Sequence, residues 1–155
     1  MAIKMAKNLL ELENLVWLGC GDCSINKYIT LNCENLLLVD AFEAAVYNQL
    51  SGNISAGQVY RKSSFVAESQ TKKFHLISPS KFSTSVELDQ VLETLPGCKH
   101  LETVEMVPKE ISEIINESGL EFETNSNCLI IDFDGLSWAL LINFLESTLS
   151  NNFFT

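Results

Sequence analysis

The chain has 155 residues, about the length of one domain, and 46% of them are hydrophobic, which is enough apolar side chain to fill a single core. Ten lysine and arginine residues stand against twenty aspartates and glutamates, so the formal net charge is −10. Nucleic acids and anionic membranes are bound through clustered positive charge, and this composition argues against both as partners. The imbalance is regional, because no basic residue follows Lys109.

The sequence shows no sign of export or membrane insertion. Residues 1–13 lack the apolar stretch and small-residue cleavage pattern of a signal peptide. No window approaches the roughly 18–20 apolar residues that a spanning helix needs. The five cysteines are an odd number without the spacing of a disulfide framework. We therefore predict a cytoplasmic protein.

Two flat apolar runs, LVWL at residues 15–18 and LLLV at residues 36–39, predict strands that are buried on both faces. Such strands are typical of a parallel sheet with helices on both sides. The connection between them, residues 24–31, is predicted to be a helix of about two turns. A second helix is predicted over residues 42–50, closed by Gly52. The opening of the chain is thus βαβα.

The rest of the chain continues this alternation with less regular patterns. Strands are predicted at residues 57–67, 73–77, 101–107 and 127–133, and helices at residues 85–95, 108–119 and 137–149. Ser85 is the predicted N-cap of the first of these helices, and Pro108 lies in the first turn of the second. No repeat or linker divides the sequence, which predicts one α/β domain over residues 1–155.

Ligands of open parallel sheets bind beyond the carboxyl ends of the strands. The first predicted strand ends in a glycine-containing turn, Gly19 to Asp22, where backbone amides can approach a ligand closely. The second ends at Asp40, so a carboxylate follows about twenty residues later, the spacing at which an acid reaches the hydroxyl pair of a ribose. This order of features favours a nucleoside-type cofactor. The alternative is structural: the glycines form a tight turn and the acids cap helices.

Three blocks of sequence resemble one known family. They are VWLGCGDC at residues 16–23, VDAFEA at residues 39–44 and LIIDFDG at residues 129–135. In this order and spacing they are similar to the blocks DIGANIG, AFEP and KIDVEGAE of the FkbM-type S-adenosylmethionine-dependent methyltransferases. The resemblance spans about residues 14–146. It implies a Rossmann-like α/β fold of the class I methyltransferase type, with a mainly parallel sheet and helices on both faces.

The resemblance also implies a set of site residues. Gly19 and Gly21 would lie under the methionine part of S-adenosylmethionine, and Glu43 would bind the ribose hydroxyls, with Asp40 as the substitute if the register differs. Cys20 and Phe42 complete the implied cofactor-binding set. Asp132 and Asp134 would face the reacting centre as catalytic candidates, next to Gly135. The implied reaction is O-methylation of a hydroxyl on a sugar or polysaccharide-type acceptor.

The sequence departs from the family at four positions. Trp17 replaces the acid of the first block and Cys23 its last glycine, while Ile130 replaces the lysine of the third block and Ser137 its final glutamate. The lysine and the glutamate are polar groups on the implied reaction side. A second hypothesis is therefore a catalytically silent methyltransferase-like module with an interaction or regulatory role.

The cysteines permit other interpretations. Cys20-Gly21-Asp22-Cys23, following a strand, has the placement of a thioredoxin-type dithiol. Cys20, Cys23 and Cys33 would need a fourth ligand to form a zinc site, and His75 and His100 are isolated in the sequence. Packing of small apolar thiols is the simplest role for all five cysteines.

A complete class I methyltransferase sheet has seven strands, and only about twenty residues follow Gly135. We therefore expect the last strands to be missing. An unfinished sheet exposes a strand edge and apolar helix faces. This predicts a homo-oligomer, or a partner chain, that covers the incomplete sheet.

Overall fold

A computed structural model of the chain describes residues 8–23, 25, 28–66, 73–79, 83–84, 88–95, 97–122, 126–132, 141–142 and 144–153. The strands are β1 (Asn8–Leu18), β2 (Ile29–Asp40), β3 (Ile54–Ser63), β4 (Phe65–Val66), β5 (Lys73–Ser78), β6 (Lys99–Glu105), β7 (Pro108–Lys109) and β8 (Asn127–Ile131). The helices are α1 (Glu43–Val46), α2 (Leu88–Thr94) and α3 (Ile111–Ser118), and a 3-10 helix covers Thr148–Asn152. Residues 141–142 and 144–145 are also helical.

The main sheet has four parallel strands in the order β3-β2-β1-β8. Its register pairs Leu18 of β1 with Val39 of β2 and with Ile131 of β8, so the carboxyl ends of these strands meet at one edge. The prediction of an α/β protein with a mainly parallel sheet is confirmed. Within the part of the chain that the structure describes, no strand lies beyond β8.

Both faces of the central strands are buried, as the flat apolar runs predict. On one face, Leu15 packs in a cluster with Val46 of α1. On the opposite face, Val16 packs in a cluster with Ile114 of α3 and with Phe144. Each of these large side chains stabilises the fold by about 1.5–3 kcal/mol through burial. The two layers hold the strand ends in fixed positions.

The connection from β1 to β2 differs from the predicted helix over residues 24–31, because Ile29 to Leu31 already belong to β2. The register pairs Asn8 with Ile29, so β1 and β2 start at the same level of the sheet. Within the connection, Cys23, Ile25 and Tyr28 are not helical, and residues 24, 26 and 27 lie outside the described residues.

Helix α1 is shorter than the predicted helix over residues 42–50 and ends at Val46. Beyond it the chain must return to the first turn of the structure, where the Ser51 amide donates to the carbonyl of Cys23 at 3.1 Å. It then enters β3 at Ile54. This return explains why the apolar pattern up to Leu50 does not continue as helix.

Helix α3 begins later than predicted. Pro108 and Lys109 pair with Phe65 and Val66 as the short parallel pair β7–β4, so they are extended rather than helical. The predicted apolar face, which includes Ile114, is buried. Gly119 ends the helix with φ of 75°, a left-handed conformation that glycine adopts without strain.

Among the described residues, the predicted strands at residues 73–77, 101–107 and 127–133 and the predicted helix at residues 85–95 are present with shifted ends, and the predicted strand at residues 57–67 is divided into β3 and β4. Strands β5 and β6 pair in antiparallel fashion, and α2 lies between them in the chain. Phe74 of β5 joins a third small cluster with Phe65 and Ala41. The predicted N-cap Ser85 and most of the predicted helix over residues 137–149 lie outside the described residues. None of the described helices is long and apolar enough to cross a membrane.

A row of asparagines crosses the sheet at the same level. Asn14 of β1 is fully buried, and its amide donates to Asn127 Oδ1 of β8 at 2.8 Å and to the carbonyl of Glu121 at 2.9 Å. Asn35 of β2 donates to Asn14 Oδ1 at 3.1 Å. Asn127 in turn donates to the carbonyl of Asn152 at 2.8 Å. The row therefore fixes the register of three strands and ties the last helical turn to the sheet.

Gly57 of β3 lies directly against the backbone of β2. A Cβ at this position would sit 2.9 Å from the carbonyl oxygen of Glu34, closer than real contacts allow. We expect Gly57→Ala to lower the free energy of unfolding by about 1–3 kcal/mol in urea denaturation, since the strands must separate. Gly52→Ala is the matched control, because its Cβ meets nothing within 4 Å. Equal stability of the two variants would contradict the close approach.

Candidate functional site

The carboxyl ends of β1, β2 and β8 are joined by backbone hydrogen bonds. The Gly19 amide donates to the carbonyl of Val39 at 2.8 Å, and the Asp132 amide donates to the carbonyl of Leu18 at 2.9 Å. The turn after β1, the acid that ends β2 and the acid after β8 therefore share one edge of the sheet. The order of the strands reverses between β1 and β8, the switch point where open parallel sheets bind ligands.

Asp40 is the most strongly positioned side chain at this edge. Its Oδ2 accepts a hydrogen bond from the Gly21 amide at 3.0 Å, and its Oδ1 accepts one from the Phe42 amide at 2.8 Å. Burial raises the pKa of the Asp40 carboxyl, and the two amide hydrogen bonds lower it in part. An ionised carboxylate has about four acceptor positions, and the part of the chain that the structure describes uses two of them. The two others can accept from hydroxyl groups of a ligand.

The glycine turn after β1 uses the conformational freedom that the sequence predicts. Gly19 and Gly21 have φ of 74° and 51°, in the left-handed region. The side-chain amide of Asn48 donates to the carbonyl of Gly21 at 2.7 Å. A Cβ added at Gly21 would meet no atom within 4 Å. The turn is thus held from both sides while the space beside Gly21 stays open. Nothing in the local sequence pattern identifies Asn48 as a member of this site.

The second acid, Glu43, is placed differently from Asp40. It is exposed in the first turn of α1, after Phe42, which occupies the N-cap position and packs partly against the core. Asp40, not Glu43, is hydrogen bonded to the glycine turn. The structure thus puts the acid named as the substitute beside the turn.

Of the two catalytic candidates, Asp132 lies at the end of β8 and is exposed. Its backbone amide donates to the carbonyl of Leu18, so the residue lies next to the strand that carries the glycine turn. Asp134, Gly135 and Ser137 lie outside the described residues.

Two departures from the family pattern are buried near this edge. Trp17 is 2% exposed and packs in the same cluster as Ala45 and Val46 of α1. Its indole Nε1 has no hydrogen-bond partner among the residues that the structure describes. Cys23 is fully buried with φ of 53°, in the region that favours glycine. A cysteine where the family has glycine therefore stores backbone strain on the order of 1–3 kcal/mol.

Two cysteines lie together in the turn after β1, and the two histidines lie together elsewhere in the fold. Cys20 and Cys23 share the turn after β1, whereas Cys33 lies on β2 with its Sγ 3.6 Å from the carbonyl of Ser55. His75 and His100, isolated in the sequence, meet on the β5–β6 pair, where each has a ring nitrogen 2.9 Å from Thr103 Oγ1. Across the described ranges, no group of three or more such side chains could hold a metal ion.

Comparison with models of protein families, with curated proteins and with solved structures yields no match for this chain.

Proposed function

We propose that the chain is a methyltransferase-like domain that binds S-adenosylmethionine at the carboxyl edge of the sheet. The observation that carries the proposal is the Asp40 carboxylate, held between the amides of Gly21 and Phe42 at the end of β2. The strand order β3-β2-β1-β8 supports it, because it follows the 3-2-1-4 arrangement of doubly wound nucleotide-binding sheets.

The residues at this edge fit a nucleoside. The two free acceptor positions of Asp40 match the two hydroxyl donors of a ribose, and the bound amides fix the direction in which they point. Open space beside Gly21 allows a ligand to approach the backbone of the turn. We therefore assign the ribose to Asp40 rather than to the exposed Glu43.

The chemistry at the site would be transfer of a methyl group to a hydroxyl of a sugar or polysaccharide-type acceptor. S-adenosylmethionine supplies the electrophilic methyl group when bound. The residues of the chain hold it in line with the acceptor, since orientation is the main requirement of such a transfer. Asp132, exposed at the end of β8, would accept the proton that the hydroxyl loses.

A second candidate function is a catalytically silent module of the same fold. The observation that favours it is the burial of Trp17 and Cys23, which fill positions that are an acid and a glycine in the family. Under this proposal the acidic surface and the edge of β8 serve a protein partner or a second copy of the chain. Light scattering should then show an assembly larger than a monomer, and a monodisperse monomer would contradict it.

The proposal extends to the cellular compartment of the protein and to the ligands that it does not bind. The five cysteines are free, as in a reducing compartment, and we propose the cytoplasm. The charge of −10 disfavours nucleic acids and anionic membranes as ligands.

Calorimetric titration with S-adenosylmethionine and S-adenosylhomocysteine tests the binding proposal. We expect saturable heat and, at a ligand concentration of ten times Kd, about 1.4 kcal/mol of stabilisation against unfolding. Asp40→Asn should weaken binding about tenfold or more, because the amide cannot accept two hydroxyl donors and two backbone amides.

Glu43→Gln is the matched control, and its affinity should stay within about twofold of wild type. A reversed ranking of the two variants would move the ribose to Glu43 and leave the cofactor proposal standing. No heat and no thermal shift at millimolar ligand would overturn cofactor binding and leave the silent module.

A further inference from the structure

The turn after β1 brings two cysteines to the separation that a disulfide needs. The Cys23 amide donates to the carbonyl of Cys20 at 2.7 Å, which closes a four-residue turn. Such a turn keeps its first and last Cα atoms within about 7 Å, and disulfides join Cα atoms about 4.4–6.8 Å apart. The backbone of the reduced protein is therefore already near the geometry of the oxidised one.

The side chains of Cys20 and Cys23 also belong to the same buried cluster. The interaction between the two thiols lowers the pKa of Cys23, against the opposing effect of its burial, and the same interaction and burial raise the pKa of Cys20. Cys23, whose thiol donates to the carbonyl of Ala45 at 3.6 Å, is the member of the pair that forms a thiolate more readily. Arg61 favours this thiolate, whereas Asp40 and Asp22 oppose it. Cys23 is the better nucleophile of the pair.

The other cysteines have no comparable arrangement. Cys33 on β2 and Cys128 on β8 are separated by β1, and they pair with Leu12 and Leu15 of that strand, so they are farther apart than two strand spacings of about 9–10 Å. Burial raises the pKa of Cys33 to about 11, which suppresses its thiolate. Cys98 lies just before β6, which belongs to a two-stranded sheet separate from the main sheet. Among the described residues, only Cys20 and Cys23 are poised to pair.

We propose that Cys20 and Cys23 form a redox-active dithiol that closes to an intramolecular disulfide by exchange with a low-molecular-weight disulfide such as oxidised glutathione. The Cys23 thiolate attacks one sulfur of oxidised glutathione, forms a mixed disulfide and releases one glutathione thiolate. Cys20 then loses its proton and attacks the Cys23 sulfur, releasing the second glutathione. The two protein thiols are oxidised by two electrons, and one glutathione disulfide is reduced to two glutathione molecules.

Burial sets how the exchange proceeds. Cys20 and Cys23 are 2% and 0% exposed, so the oxidant reaches them only when the turn opens. The side chain of Asn48 holds the turn through its bond to the carbonyl of Gly21. Removing it with Asn48→Ala should raise the oxidation rate about fivefold, the equivalent of one ordinary hydrogen bond. At high oxidant concentration the rate should level off at the rate of opening.

The test uses the native full chain in buffers of fixed oxidised-to-reduced glutathione ratio, followed by alkylation and mass analysis. We expect the five alkylated cysteines of the reduced protein to fall to three, with Cys20 and Cys23 in one disulfide-linked peptide. Cys20→Ser should stop at a stable glutathione adduct on Cys23. Cys33→Ser and Cys128→Ser, the matched controls, should form the disulfide as wild type does.

Five alkylated thiols at every ratio, or a disulfide that maps to other cysteines, would overturn the proposal. So would a Cys20→Ser variant that forms no adduct on Cys23 while its circular dichroism matches wild type. The result is independent of S-adenosylmethionine binding, because no ligand is present in the experiment.

Discussion

Replacing Asn14 with alanine should lower the free energy of unfolding by about 2–4 kcal/mol. Asn14 is fully buried and bonds to Asn35, Asn127 and the carbonyl of Glu121. The substitution leaves these three polar groups without that partner, and an unsatisfied buried polar group costs about 1–3 kcal/mol. Urea denaturation should show a lower midpoint with an unchanged slope.

The control for this experiment is Asn32→Ala. Asn32 lies on the same strand as Asn35 and is half-buried, and its side chain makes no hydrogen bond to any residue that the structure describes. The unfolding free energy of Asn32→Ala should differ from that of wild type by less than about 1 kcal/mol. A double-mutant cycle of Asn14 and Asn127 should give a coupling energy of about 0.5–3 kcal/mol. An Asn14→Ala variant as stable as Asn32→Ala would show that the row does not fix the register.

Asp40→Ala should also lower the free energy of unfolding by about 2–4 kcal/mol. The substitution removes the acceptor of both the Gly21 and the Phe42 amides, and hydrogen bonds to charged groups contribute about 1.5–3 kcal/mol each before the cost of burying the carboxylate is subtracted. Glu43→Ala is the control, because an exposed acid three residues away should change stability by less than about 0.5 kcal/mol.

The loss caused by Asp40→Ala should depend on pH in a defined direction. Burial raises the pKa of Asp40 in the folded protein, so the folded chain holds this proton more tightly than the unfolded chain. The associated stabilisation is complete below the unfolded pKa of about 3.9 and is lost as pH rises through the folded pKa. The difference in unfolding free energy between wild type and Asp40→Ala should therefore decrease as pH rises through the folded pKa of Asp40. Urea denaturation at a series of pH values measures this difference. A difference that increases with pH would mean that the hydrogen bonds from the Gly21 and Phe42 amides outweigh burial in setting the pKa of Asp40.

The parts of the fold that depend on local pattern are predictable from the sequence. Residues 15–18 and 36–39 are apolar at every position, and only a strand covered on both faces buries all of them. The same holds for the helical spacing of Ile111, Ile114 and Ile115 in α3. These patterns predict the α/β class and the position of the carboxyl edge of the sheet.

The parts that depend on register are not predictable in this way. The bond between Gly21 and Asp40 exists because Leu18 pairs with Val39, and no local pattern records that pairing. The asparagine row has the same origin, since Asn14 reads as an ordinary polar residue until Asn35 and Asn127 are placed beside it. The start of β2 at Ile29 likewise follows from its pairing with Asn8, and it replaces the predicted helix at residues 29–31 with a strand.

The edge of the sheet thus combines a carboxylate fixed by two amides, an open glycine turn and an adjacent dithiol. The Gly21 amide links these features, because it lies between Cys20 and Cys23 and donates to Asp40. A disulfide at this turn would hold the same backbone that positions Asp40. Ligand binding and thiol oxidation are therefore expected to act on one structural unit, although each is tested alone.

The most direct test of the central proposal is an amide NMR titration of the isotope-labelled chain with S-adenosylhomocysteine. The proposal predicts saturable shifts of the Gly21 and Phe42 amides, which bond to Asp40, and of the Asp132 amide at the end of β8. The amides of α2, a helix with no buried residue, should remain unchanged. No shift of Gly21 and Phe42 at millimolar ligand, or shifts confined to the β5–β6 pair, would contradict the site.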